Sequence, residues 1–252
     1  MKDRIVKNLV WSIIPAKGKS FRIKNKNLKK LSNIELFLYS VLVSINNKEI
    51  SKTFVSTDDK KIAKISEKYG GLAPFLRPKK ISLKTSGDYE YISHFLKYIQ
   101  KEFEKLPEFI VQLRPTTPFR SITDINKALK LLRLNKKSTS LRSSHKADHP
   151  PEKQFRIKNN FYCDVNLKKN EHDLFNKPSQ LFRATYEPNG YVDILKTSFL
   201  IANVNKKLIY GNRILPFLTP KKIDIDTEED FVYAENIKDR NKDQIKKYYK
   251  KK

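Results

Sequence analysis

Strand-like and helix-like segments alternate along the first two-thirds of this 252-residue chain, and few folds accommodate that order. Residues 8–14 form a compact apolar run closed by Pro15, which reads as a buried strand. A polar loop follows to residue 27, then a predicted helix over 33–46 and a short strand over 52–56. Residues 58–69 read as an amphipathic helix. Ile62, Ile65 and Tyr69 share a face, Asp58 and Asp59 sit in the first turn where the helix dipole favours acids, and Gly70 can close it. Helices are also predicted over 89–105 and 122–134, with a strand over 109–113 and a Pro-Thr-Thr-Pro turn between them. Strands separated by helices require crossover connections, so the expected fold class is α/β: a mostly parallel sheet with helices on both faces. The pattern loosens over 138–187. That stretch is expected to stand outside the main sheet, as an inserted arm of the same domain that contacts a second copy. Alternation resumes at Tyr191, giving one domain over 1–236 and a basic tail over 237–252.

Several functional classes are disfavoured at once. No apolar run approaches the roughly 20 residues that cross a bilayer, and the first ten residues do not read as a signal peptide. Cys163 is the only cysteine, so no internal disulfide forms, which suits a reducing cytosol. His94, His145, His149 and His172 lack zinc-ligand spacing. The net charge of +26 invites a polyanion partner, but the lysines are spread over the whole chain. A lysine-rich surface accounts for that spread better than a nucleic-acid footprint, and no reader motif is present.

Three segments carry chemistry. Residues 13–27, Ile-Ile-Pro-Ala-Lys-Gly-Lys-Ser-Phe-Arg-Ile-Lys-Asn-Lys-Asn, leave a buried strand where α/β folds bind ligands. Gly18 permits a tight turn, and Lys17, Lys19, Arg22 and Lys26 add positive charge. A phosphate cradle and an ordinary basic loop both satisfy this pattern; a Walker loop does not, for want of its first glycine. In Ile223-Asp224-Ile225-Asp226-Thr227, a strand would turn both aspartates to one side, with Cβ atoms roughly 7 Å apart. Both could then reach one Mg²⁺, which would relieve their repulsion. Thr227 and Asp230 resemble a helix capping box. Arg114, before the Pro-Thr-Thr-Pro turn, could fork a carboxylate or phosphate; a solvated turn arginine fits the same residues.

Taken together and in order, these segments resemble the CMP-sugar synthetase family, which activates N-acetylneuraminic acid and related nonulosonic acids. The family loop Ile-Pro-Ala-Arg-Gly-Gly-Ser-Lys-Arg, then Lys-Asn, is matched at Pro15, Ala16, Gly18, Ser20, Arg22, Lys26 and Asn27. Val55-Ser56-Thr57-Asp58-Asp59, Phe75-Leu76-Arg77-Pro78, Pro115-Thr116-Thr117-Pro118-Phe119-Arg120, His149-Pro150 with Lys153, Tyr186-Glu187-Pro188-Asn189-Gly190 and Asp224-Ile225-Asp226-Thr227 follow in family order. Lys17 stands for an arginine facing the triphosphate and Lys19 for a glycine. Arg114 stands for a glutamine beside the sugar, and Asp193 for a sugar-side tyrosine.

The resemblance implies a nucleotide-diphospho-sugar transferase-like fold and a homodimer with a swapped arm. It implies transfer of CMP from CTP to an acidic keto sugar, with no membrane partner. Lys17, Gly18, Ser20, Lys26, Asn27 and Arg77 would bind the nucleotide. Arg114, Lys153, Arg183 and Asn189 would meet the sugar. Asp224 and Asp226 would hold Mg²⁺, and Lys26 and Asp226 would be catalytic. The alternatives are a related enzyme for a 3-deoxy-octulosonate-type acid and, ranked far lower, a basic nucleic-acid-binding module.

Overall fold

The computed structural model describes residues 4–165 and 174–237. Its first strand, β1 (Ile5–Pro15), explains why helices cover both faces of the sheet. Val10 and Ile14 point to one face and Trp11 and Ile13 to the other, all four buried. A strand buried on both sides reads as the continuous apolar run seen in the sequence. A small hairpin, β2 (Lys30–Leu31) and β3 (Ile34–Glu35), leads into α1 (Leu36–Ile45), which is apolar all round and almost wholly buried. The predicted helix thus loses its first turn to the hairpin, which Ser32 and Asn33 make with positive φ. Then come β4 (Lys52–Ser56), α2 (Lys60–Lys68), α3 (Asp88–Glu102), β5 (Leu106–Gln112), α4 (Ile122–Leu134) and β6 (Ser140–Lys146). The chain continues through β7 (Phe155–Lys158), β8 (Phe161–Asp164), β9 (Tyr186–Lys196), α5 (Thr197–Asn203), β10 (Ile214–Leu218) and α6 (Glu228–Ile237).

Six strands form the main sheet in the order β10-β6-β9-β5-β1-β4. The pairs β1–β4, β1–β5 and β10–β6 are parallel, while β9 runs antiparallel to both its neighbours. The sheet is therefore mostly parallel, with one reversed strand. Residues of α1, α2, α4 and α6 pack with Val10, Ile14, Val55, Val111 and Ile194 on one face. Residues of α3 and α5 pack with Trp11, Ile13, Phe54, Ile110 and Leu195 on the other. Trp11 sits there against Phe54 and Phe103, with ring centroids 5.5 and 4.8 Å away.

One expectation is overturned. Ser140–Lys146 does not stand outside the sheet but lies within it, between β10 and β9. The sequence hides this strand because Leu141 is its only large apolar residue. Ser140 and Ser143 are fully buried all the same, and their hydroxyls bond the Tyr210 carbonyl and the Val192 N–H, each at 2.8 Å. The segment that leaves the sheet begins after Lys146. It carries the β7–β8 hairpin, turned at Asn159 and Asn160 with positive φ at both, as type I′ turns require. The predicted basic tail, apart from Ile237 at the end of α6, lies outside the described residues.

Candidate functional site

Because β1, β4 and β5 are parallel, the loops that follow them emerge at one edge of the sheet. From β1 the chain passes to β4 on one side, and from β4 it returns to β5 on the other. A crevice at such a reversal is where open α/β sheets bind ligands. An open cleft of about 690 Å³ lies there, within the size range of small-molecule sites. The loop after β1 lines it with Lys17, Ser20, Arg22, Lys26 and Asn27. The facing wall is Arg77, Lys84, Ser86 and the start of α3, with Asp88 and Tyr91. Arg114 and Thr116, from the turn after β5, complete it.

Most of the nucleotide-side residues named from sequence meet here. Asn27 is buried and its Nδ2 donates to the Lys17 carbonyl at 2.8 Å, which fixes the loop. Arg77 is buried against Ser56, donating to its carbonyl and hydroxyl, with the guanidinium 5.1 Å from the Tyr91 ring centroid. Burial, and then the charge of Arg77, hold the Lys17 ammonium below its ordinary pKa. Gly18 does not line the cleft. Its N–H is already committed to Asp58 at 2.8 Å. What position 18 demands is space: a Cβ there would lie 2.8 Å from Asp59 Cβ. Lys19 is exposed and outside the cleft, so it does not obstruct the loop.

Residues 221–227 form no strand, contrary to expectation. One backbone bond, from the Ile225 N–H to the Thr116 carbonyl at 2.8 Å, pins this segment beside the cleft. Ile225 is buried between its two aspartates, so Asp224 and Asp226 are still displayed away from the core. The Asp226 carboxylate takes Lys26 Nζ at 2.9 Å and Arg22 NH1 at 3.1 Å. Thr227 and Asp230 do form the capping box: Asp230 Oδ2 accepts the N–H groups of Asp226 and Thr227, and Thr227 Oγ1 accepts that of Asp230. Among the described residues no cluster of three or more potential metal ligands exists. Neither aspartate lines the cleft itself, but Asp226 meets two of its cations, and a carboxylate so placed fits Mg²⁺, which takes one or two carboxylates and fills its remaining positions with phosphate and water oxygens.

The sugar-side residues are dispersed. Arg114 reaches the cleft, but its guanidinium is tied to Asp88, to Asp193 at 2.6 Å and to the Tyr210 hydroxyl at 3.1 Å. Burial opposes its charge, yet Asp193, Tyr91 and Asp88 more than offset that and raise its pKa. Burial likewise pushes the Asp88 carboxyl up, but the charge of Arg114 and hydrogen bonds from Gln112 and Tyr210 hold it below its ordinary value. Asn189 is buried, its amide donating to Thr219 Oγ1 at 2.8 Å. Lys153 donates to the Phe175 carbonyl at 2.8 Å, and Arg183 is exposed. Neither lines the cleft.

A sequence model for the family described as cytidylyltransferase matches residues 11–252. The chain belongs to the cytidylyltransferase family. Its curated relatives include a post-translational flagellin modification protein B of Campylobacter coli, 26% identical over 90% of this chain and 94% of that protein. An N-acylneuraminate cytidylyltransferase of Escherichia coli is 27% identical over 95% of this chain and 54% of that protein. A CMP-N,N'-diacetyllegionaminic acid synthase of Legionella pneumophila is 25% identical over 94% and 99%. In fold the chain is similar to a solved CMP:2-keto-3-deoxy-manno-octonic acid synthetase in complex with CTP. The TM-score is 0.65 at 11% identity, covering 92% of this chain and 99% of that one. The expected fold class and family are thus both found.

This cytidylyltransferase also uses residues that the sequence did not single out as site residues. Asp58 anchors the Gly18 amide rather than serving the first turn of a helix, where Asp59 alone caps α2. Lys84, Ser86, Asp88 and Tyr91 line the cleft from a stretch that carried no recognised motif. Arg120 is fully buried, makes no salt bridge among the described residues, and donates to the carbonyls of Arg114, Gly190 and Tyr191. That clamp joins the turn after β5 to β9. Its only advance sign was the arginine closing the Pro-Thr-Thr-Pro-Phe-Arg run.

Proposed function

We propose that this cytidylyltransferase transfers CMP from CTP to the anomeric hydroxyl of a nonulosonic acid, releasing pyrophosphate. One observation carries the reading. Cations face one another from both walls of the cleft, Lys17, Arg22 and Lys26 against Arg77 and Lys84, and two of them, Arg22 and Lys26, meet Asp226. In the reaction the anomeric oxygen attacks the α-phosphorus, the bond to the pyrophosphate oxygen breaks, and the hydroxyl proton leaves to solvent or a nearby base. Such a transfer depends on positioning and charge neutralisation. Lys17, Ser20 and Lys26 hold the phosphates, with the loop kept in shape by Gly18 on Asp58. Asn27 and Arg77 orient the nucleoside. Mg²⁺, when held by Asp224 and Asp226, supplies charge neutralisation at the phosphate and acidifies a coordinated hydroxyl. Arg114, Lys153, Arg183 and Asn189 belong to the sugar side of this reading.

The arm supports a homodimer. Ile157, Phe161, Tyr162 and Leu181 are each at least 70% exposed there, an apolar surface suited to a second copy. The lone Cys163 accords with a cytosolic setting. Pyrophosphate release from CTP and Mg²⁺ over a panel of nonulosonic acids and 3-deoxy-octulosonate tests the reading. Release with a nonulosonic acid is expected. Release with the octulosonate alone would support the alternative that the fold likeness to the octonic acid synthetase suggests. No release with any acid, together with no CTP binding, would remove both.

A further inference from the structure

Asp193 is fully buried on β9, level in the sheet register with Gln112 of β5 and Arg142 of β6. Registered residues on neighbouring strands project to the same face, so these three make a polar row at the cleft end of the face that α3 covers. Arg114 follows Gln112 by two residues and folds over the row. Its NH1 donates to Asp193 and its NH2 to Asp88 and to the Tyr210 hydroxyl. On the opposite oxygen of Asp193, Arg142 Nε lies 3.5 Å away. A buried carboxylate stripped of its cation is strongly destabilised, and so is a buried guanidinium stripped of its anions. Asp193, fully buried, therefore depends on Arg114, while Arg114, partly exposed, is held in place by Asp193 and Asp88 together. Arg114 and Asp193 are also the two positions at which the sequence departs from the family pattern of a glutamine and a tyrosine, and the structure brings them into direct contact.

We propose that Asp193 is a positioning residue for Arg114, and that the pair acts as one unit setting specificity for the keto sugar; this rests on the cytidylyltransferase reading above. The chemistry follows from the hydrogen bonds. With one NH1 and two NH2 hydrogens engaged, three of the five guanidinium N–H groups are committed, leaving Nε–H and one NH1 hydrogen. The charge of Arg114 is already matched by Asp88 and Asp193, so it is a poor anchor for the sugar carboxylate. What it offers the cleft is an immobile set of donors for a neutral accepting oxygen such as a carbonyl. A glutamine in its place would offer an acceptor as well as donors. The unit thus favours a substituent that only accepts hydrogen bonds at this point.

The test compares Arg114→Gln, Asp193→Asn, the double variant and the charge-keeping Arg114→Lys. Melting temperature, KM for CTP and kcat/KM over the sugar panel are measured for each. Both single neutral variants should raise the sugar KM at least about tenfold, the scale of one lost charged hydrogen bond, with the CTP KM little changed. The double variant should regain much of the melting temperature and rank the sugars differently. Arg114→Lys should also change the ranking while remaining folded. An unchanged ranking in the double variant and in Arg114→Lys would overturn the proposal and leave the pair purely structural. Equal rises in the KM of CTP and of sugar would overturn it too. If the unsubstituted chain binds CTP but turns over no sugar, the assignment of a sugar substrate fails first, and this inference with it.

Discussion

Asp226 faces two cations, Lys26 and Arg22, that also line the cleft. In the proposed reaction Lys26 serves phosphate, so the carboxylate and the nucleotide compete for it. Asp226→Asn should therefore tighten CTP binding several-fold when divalent metal is chelated, yet abolish turnover when Mg²⁺ is supplied. Calorimetry in a chelator and the pyrophosphate assay check the two halves; weaker metal-free binding would contradict the competition. At this scale the sequence was legible where chemistry is contiguous. Lys26, Asn27 and Arg77 stand inside recognisable runs, and the structure places all three in the cleft. Asp88 and Tyr210 were not legible, because their meaning lies in meeting Arg114 and Asp193 from other segments of the chain. Asp58 was misread for a related reason. An acid before a helix reads as a cap, and only the fold shows that Gly18 donates to it.

Between elements, the junction of the β1 loop with the N-terminus of α2 leaves no room for an added side chain. Gly18→Ala would drive a methyl to 2.8 Å from Asp59 Cβ, in the residue whose Oδ1 caps α2 by accepting the N–H groups of Lys61 and Ile62. Overpacking of this kind costs about 1–3 kcal/mol. The expected outcome is a lower melting temperature and a raised KM for CTP, since the displaced loop carries Lys17 and Ser20. An unaltered CTP KM would show that the loop's position does not matter to the nucleotide. Elements with a strong apolar period were readable in advance: α4 and β4 fall where predicted. β6 was not, because serines that bond inside the sheet resemble serines of a loop until their partners are known. The Asp224–Asp226 segment shows the converse. Its outward display of both acids was anticipated, but bonds from Ile225 to Thr116 and from Lys26 to Ile225 hold it rather than a strand.

Across the whole molecule, the sheet gathers the cleft at one edge, and the arm departs from the chain between β6 and β9. Phe161→Asp, placing a charge on a residue 77% exposed in the hairpin, should shift the sedimentation of the protein from dimer toward monomer with its melting transition nearly intact. Identical sedimentation of the two forms would place the contact elsewhere. The only tryptophan is Trp11, 2% exposed and enclosed by Phe54 and Phe103. It lies four residues before Pro15 on β1, about 13 Å from the cleft at the usual rise of a strand. Its fluorescence therefore carries an optical signal from one interior point, remote from the bases and phosphates that would quench or mask it. Unfolding can be followed through that emission with nucleotide present, and the stabilisation that a ligand confers can be read as a shift in one spectral transition.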